Sequence, residues 1–68
     1  MMTEADVRKY CDWIRKDFIP SNPSLRERHK VAGKLGGMIA KTWDLESGTV
    51  PGPLQSEAAI LRYEISIK

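Results

Sequence analysis

The sequence predicts a small all-α domain of three helices. Three segments carry apolar residues at helical spacing, proline-bearing breaks separate them, and each begins next to a residue suited to cap a helix. A chain of 68 residues has room for one domain, over 1–68. Its hydrophobic share of 41% and charged share of 29% are ordinary for a globular protein.

The first helix is predicted over residues 3–18, before Pro20. Thr3 can cap the amide of Asp6, and acidic residues suit the first turn of a helix. The apolar residues of this segment recur every three or four positions and form one stripe: Val7, Tyr10, Cys11, Ile14 and Phe18.

The second helix is predicted from residue 25 to about residue 45. Ser24 and Glu27 match a capping box, in which each side chain satisfies a free backbone amide of the other residue. The stripe on its apolar side consists of Val31, Leu35, Met38, Ile39 and Trp43.

Glycines interrupt the middle of this second segment. Gly36 and Gly37 each cost about 1 kcal/mol of helix stability relative to alanine, so a kink or a break there is an alternative to a continuous helix. Gly33 and Gly37, four residues apart, indicate a close approach of another backbone.

The third helix is predicted from Pro53, with Gly52 as its cap, after a loop over 46–53. One apolar stripe of this helix consists of Leu54, Ala58, Leu61 and Ile65. Residues 62–68 also alternate between apolar and polar, which is typical of a short terminal strand. No other segment alternates well enough to pair with it, so helix is the preferred interpretation.

The inventory of reactive side chains is small. Cys11 is the only cysteine and His29 the only histidine, whereas a structural zinc site needs four nitrogen or sulfur ligands. Cys11 lies on the apolar stripe, where a buried thiol is expected, and His29 lies in a charged first turn. We therefore expect no catalytic residue, no metal site and no cofactor.

A row of cations on the second helix is the first candidate binding feature. At about 100° per residue its members fall within about 80° of one another: Arg26, Lys30, Lys34 and Lys41. Such a row can follow a phosphate backbone, but lysines are also common on the solvent face of an amphipathic helix. The net charge of +2 is small for a dedicated nucleic-acid module.

A helix-turn-helix interpretation uses the same helix. Ala32 and Gly36 have the four-residue offset of that motif, Gly36 and Gly37 would form its turn, and Met38 would begin a recognition helix. Two positions of this motif that should be apolar are occupied here by Gly37 and Thr42, so the match to the motif is weak.

The second candidate feature is aromatic and apolar surface. Trp13 lies off the main stripe of the first helix, either in an interface or at the edge of the core. If residues 53–67 are helical, Ile60, Tyr63 and Ile67 form a second apolar stripe opposite the first. A three-helix domain has one interior, so we expect this stripe to be covered by another molecule, with Trp13 as its neighbour.

The run of helix, loop and helix over residues 31–65 resembles small proteins of phages and mobile elements, including the helical hairpins of small terminase subunits. The resemblance covers about half of the chain and includes no diagnostic residue.

These features predict a non-enzymatic interaction protein, of adaptor or inhibitor type, that binds a protein partner and self-associates as a homodimer. A small DNA-binding regulator is the alternative. The start of the sequence has no hydrophobic stretch behind a basic segment, and no apolar run approaches the roughly 20 residues that span a bilayer. We therefore expect a cytoplasmic protein that does not bind membranes.

Overall fold

The computed structural model describes residues 2–43 and 52–67. These residues form three α-helices, α1 (Glu4–Trp13), α2 (Leu25–Thr42) and α3 (Pro53–Ile67). The predicted all-α domain of three helices is confirmed. The strand alternative is wrong over residues 62–67, which belong to α3.

The first helix begins with a complete capping box. The Thr3 hydroxyl accepts a hydrogen bond of 3.3 Å from the Asp6 amide, and the Asp6 carboxylate accepts one of 3.0 Å from the Thr3 amide. Aspartate thus fills the place that glutamate or glutamine takes in the common form of this motif. The predicted cap at Thr3 is confirmed, and the reciprocal bond strengthens it.

The other two helices begin where their capping residues predicted. The Ser24 hydroxyl accepts a bond of 3.2 Å from the Glu27 amide, which is the serine half of the predicted capping box. The Gly52 carbonyl accepts bonds of 3.1 and 3.3 Å from the amides of Gln55 and Ser56, so α3 starts with Pro53 in its first position.

The chain changes its helical geometry after Trp13. Ile14–Phe18 forms a π-helical turn, in which the Ile19 amide donates to the Ile14 carbonyl, and Ile19–Ser21 forms a 3₁₀ turn. Pro20 has no amide proton to continue an α-helix. Asn22, with φ of 55°, ends the segment in the left-handed conformation that asparagine tolerates. The predicted helix to Phe18 is therefore helical throughout, but α-helical only to Trp13.

The core combines one stripe from each helix. The first helical segment contributes Val7, Cys11, Ile14 and Phe18, and α3 contributes all four predicted residues, Leu54, Ala58, Leu61 and Ile65. From α2 and its cap come Ala32, Leu35, Met38 and Trp43. Val31 and Ile39 were expected on this stripe but are only partly buried, because the buried side of α2 is turned toward Ala32.

The second helix runs unbroken through its glycines. A break, which was the alternative to a continuous helix, is therefore wrong, and so is the helix-turn-helix turn at Gly36 and Gly37. Gly33 and Gly37 face open space rather than another backbone. The close approach occurs at Gly36, where an added Cβ would lie 2.5 Å from Arg62 Nε on α3.

The end of the second helix differs from its prediction. α2 ends at Thr42, and the extended backbone of Trp43 caps it with an amide bond of 3.0 Å to the Ile39 carbonyl. Residues 44–51, which include the predicted helix end near residue 45 and most of the predicted loop, lie outside the described part of the chain. Of the helices that are described, none has the length and apolar character needed to cross a membrane.

The glycines of α2 give a stability test. Gly37→Ala removes a helix-interior glycine without touching a neighbour, so we expect the free energy of unfolding to rise by about 1 kcal/mol. For a domain of this size that is about 4–8 °C in Tm, measured by circular dichroism. Gly33→Ala is expected to raise the free energy of unfolding by a similar amount. Gly36→Ala should raise it less, because the Arg62 side chain has to move to make room for the new Cβ. A lower Tm for Gly37→Ala would contradict a continuous α2.

Candidate interaction surfaces

Three aromatic side chains are stacked along the first helical segment. The Trp13 ring lies 5.5 Å from the Tyr10 ring at an interplanar angle of 19°, and 5.3 Å from the Phe18 ring at 32°. Residues five apart in an α-helix point about 140° away from one another. The π-helical turn brings Phe18 back beneath Trp13, because its hydrogen bonds connect residues five apart.

An open groove of about 840 Å³ lies beside this stack, between α1 and α2. We call it the α1–α2 groove. Buried Met38 and the half-buried Met2 and Tyr10 form its inner surface. The exposed residues along it are Trp13, Asp6 and three lysines, namely Lys9, Lys34 and Lys41. Its volume is in the range of ligand-binding clefts, about 300–1,000 Å³.

The groove has an excess of positive charge. Among the described residues that line it, three are lysines and one, Asp6, is a carboxylate. Hydrogen bonds from the Thr3 backbone and hydroxyl hold the pKa of Asp6 below its ordinary value, so Asp6 is ionised at neutral pH but already bonded within the chain. Lys34 Nζ lies 5.0 Å above the centre of the Tyr10 ring, a cation–π contact that orients this lysine along the groove.

The structure divides the predicted basic row between two environments. Lys34 and Lys41 line the groove, whereas Arg26 and Lys30 are exposed on α2 outside it. Trp13 and Lys9, both on α1, line the same groove. The sequence interpretation did not identify Met2, Asp6 or Tyr10 as part of a site. The available signal was the three-residue spacing of Tyr10 and Trp13, which places two aromatic side chains on neighbouring turns of one helix.

A second surface lies on the outer side of α3. Ile60 is 58% and Tyr63 64% exposed, one helical turn apart and opposite the buried stripe. We call this pair the α3 outer face. Ile67 was predicted to extend it, but its side chain is outside what the structure describes. Trp13 lines the α1–α2 groove, whose described lining residues include none from α3, and its predicted place beside the α3 outer face stays a prediction.

The cysteine and the histidine occupy separate places. Cys11 is 1% exposed in the core, and burial raises the pKa of its thiol, which is therefore protonated at neutral pH. His29 Nε2 lies 3.0 Å from the Ser66 carbonyl oxygen, to which an imidazole N–H can donate. Over residues 2–43 and 52–67, no group of three or more histidine, cysteine, aspartate or glutamate side chains is placed to hold a metal ion.

Comparisons with known proteins add no family. No protein-family model, curated protein or solved structure gives a significant match to this chain. The resemblance to small phage and mobile-element proteins stays a prediction, and functional arguments rest on the two surfaces described above.

The two tryptophans report on the groove and the core separately. Trp13 is 41% exposed, whereas Trp43 is 3% exposed and its Nε1 donates a bond of 3.2 Å to Glu4. We expect Trp43→Phe, which leaves Trp13, to emit at longer wavelength and to be quenched readily by acrylamide. Trp13→Phe should leave a blue-shifted, protected emission. Equal quenching of the two variants would contradict this placement of Trp13.

Proposed function

We propose that this chain is a non-enzymatic interaction domain that binds a protein partner and self-associates through the α3 outer face. The observation that carries the proposal is the pair of large side chains, Ile60 and Tyr63, exposed on a helix whose other side already fills the core. A helix that is apolar on two sides of a small domain is typical of an interface.

A second copy of the chain is the occupant that fits this face. Two α3 helices can pair across a two-fold axis, so that each Ile60 and Tyr63 meets the same residues of the other copy. A helix of 15 residues is about 22 Å long, enough for two such residues to lie near the centre of the contact. A chain of 68 residues buries only about 60% of its unfolded surface, so partner contacts add materially to its stability.

The absence of an enzymatic role is part of the proposal. The buried, protonated Cys11 is a poor nucleophile, and His29 is bonded to the backbone of α3 rather than to another side chain. An adaptor or inhibitor acts by occupying surfaces of its partner, which requires exposed apolar and charged residues rather than a catalytic set. A cytoplasmic location is consistent with a free, buried thiol and is proposed with it.

The double variant Ile60→Asp with Tyr63→Ala tests self-association. It removes two large apolar groups and adds a charge, which should weaken association by about 2–4 kcal/mol when both residues are buried between copies. Because both side chains are exposed within one chain, the variant should remain folded. Sedimentation velocity over a concentration series is expected to show a dimer for the wild type and a monomer for the variant.

The matched control is Ala5→Asp, which adds the same charge at an exposed position of α1. It should leave the dimer intact. A wild type that stays monomeric at every concentration would contradict self-association, and so would a dimer that the double variant does not weaken.

A second candidate function is binding of duplex DNA along α2. The observation in its favour is that all four members of the basic row are exposed on one continuous helix. Without a turn at Gly36 the helix-turn-helix mode is lost, and the contact that these cations support is with the phosphate backbone, which depends strongly on salt.

Lys30→Ala tests this candidate without touching the groove. If DNA is the ligand, the change should weaken binding to every duplex alike. It should also make the negative slope of log affinity against log salt less steep by about 0.9, as expected for the loss of one phosphate contact. Retention of the wild type and the variant on immobilised duplex DNA at low salt is the measurement. No retention of the wild type would remove this candidate.

A further inference from the structure

The α1–α2 groove combines an apolar inner surface with lysines at its edge. Two methionines, Met2 and Met38, lie where a ligand would insert, and methionine adapts to apolar side chains of different shape. Trp13 adds a large, partly exposed ring of the kind that dominates protein interfaces. This arrangement suits apolar side chains from a partner rather than a small polar ligand.

The positive charge of the groove favours a negatively charged ligand. Lys9, Lys34 and Lys41 line it, and Asp6, the carboxylate among its described residues, is bonded to Thr3. Over the described residues a ligand therefore meets three cations and one anion that already has hydrogen-bond partners. Carboxylates placed beside apolar side chains complement this pattern, and lysines at the same places are repelled.

The contacts that the Trp13 and Tyr10 rings make within the chain argue against nucleobases as the ligand. Proteins that bind single-stranded nucleic acid offer free aromatic faces on which bases stack. Here Trp13 contacts Tyr10 on the turn before it and Phe18 on the turn after it. Tyr10 in turn contacts both the indole and the Lys34 ammonium, so each of these rings already has contact partners within the chain.

We propose that the α1–α2 groove binds an acidic amphipathic helix of a partner protein, whose apolar side chains contact Met38 and Trp13 and whose carboxylates pair with the lysines. Helix-in-groove recognition uses anchors at i, i+3 or i+4, and i+7, so a segment of about four turns suffices. The inference rests on the proposed function in that the chain binds a protein, but it assigns the partner to a surface separate from the α3 outer face.

The test uses two fluorescein-labelled peptides of about 16 residues, long enough for four helical turns. Both carry leucine and phenylalanine at the anchor positions; one has glutamate and the other lysine at the remaining positions. Fluorescence anisotropy with the wild-type chain is expected to show at least about tenfold tighter binding of the glutamate peptide, since the lysine peptide meets like charges.

Charge reversal locates the binding site. Lys34→Glu with Lys41→Glu should weaken binding of the glutamate peptide by about tenfold or more and improve binding of the lysine peptide. The matched control, Arg8→Glu with Lys16→Glu, changes the net charge equally at exposed positions outside the groove and should leave both affinities nearly unchanged. Circular dichroism confirms that both double variants are folded.

Several results would overturn the inference. These are similar affinities for the two peptides, no binding of the glutamate peptide below about 1 mM, and equal effects of the two double variants. Tighter binding of an oligothymidylate, weakened more by Lys34→Glu with Lys41→Glu than by the control variant, would assign the groove lysines to nucleic acid instead.

The Ile60→Asp with Tyr63→Ala variant separates the two proposals. It should bind the glutamate peptide like the wild type even as a monomer, because none of the described residues that line the groove belongs to α3. Loss of the dimer with peptide binding retained supports both proposals. A monomeric wild type that binds the peptide overturns self-association alone, whereas a dimer that does not bind the peptide overturns the groove proposal alone.

Discussion

The burial of one apolar stripe from each helix is the constraint on which this domain depends. Val7, Ile14, Leu35 and Ala58 come from all three helical segments and are fully enclosed. Because α2 and α3 make the most extensive contact, the sides that these helices turn outward follow from how they pack. The exposure of Ile60 and Tyr63, and of the lysines along the groove, is a consequence of this burial.

The π-helical turn connects the core to the groove. It keeps Ile14 and Phe18 buried while it places Phe18 against Trp13, so the indole contacts two rings of its own chain. A ring restrained in this way loses little conformational freedom when a ligand binds, which favours its use in recognition.

Polar contacts between distant segments hold the three helices in register. Arg15 and Glu57 form an ion pair of 2.8 Å between the π-helical turn and α3, and Trp43 donates to Glu4 across 39 positions of sequence. His29 reaches the Ser66 carbonyl at the far end of α3. These contacts lie outside the α1–α2 groove and the α3 outer face, and therefore leave both surfaces available to partners.

The sequence by itself determined the helices, their capping residues and most of the core, because hydrophobic periodicity and caps are local properties. It also identified Ile60 and Tyr63, since a second stripe on one helix is visible without a structure. Only the tertiary structure decided that α2 continues through Gly36 and Gly37, where packing of both flanks outweighs helix propensity. It alone brought Lys34 to Tyr10 and formed the groove, because such contacts depend on how two helices cross rather than on spacing within either.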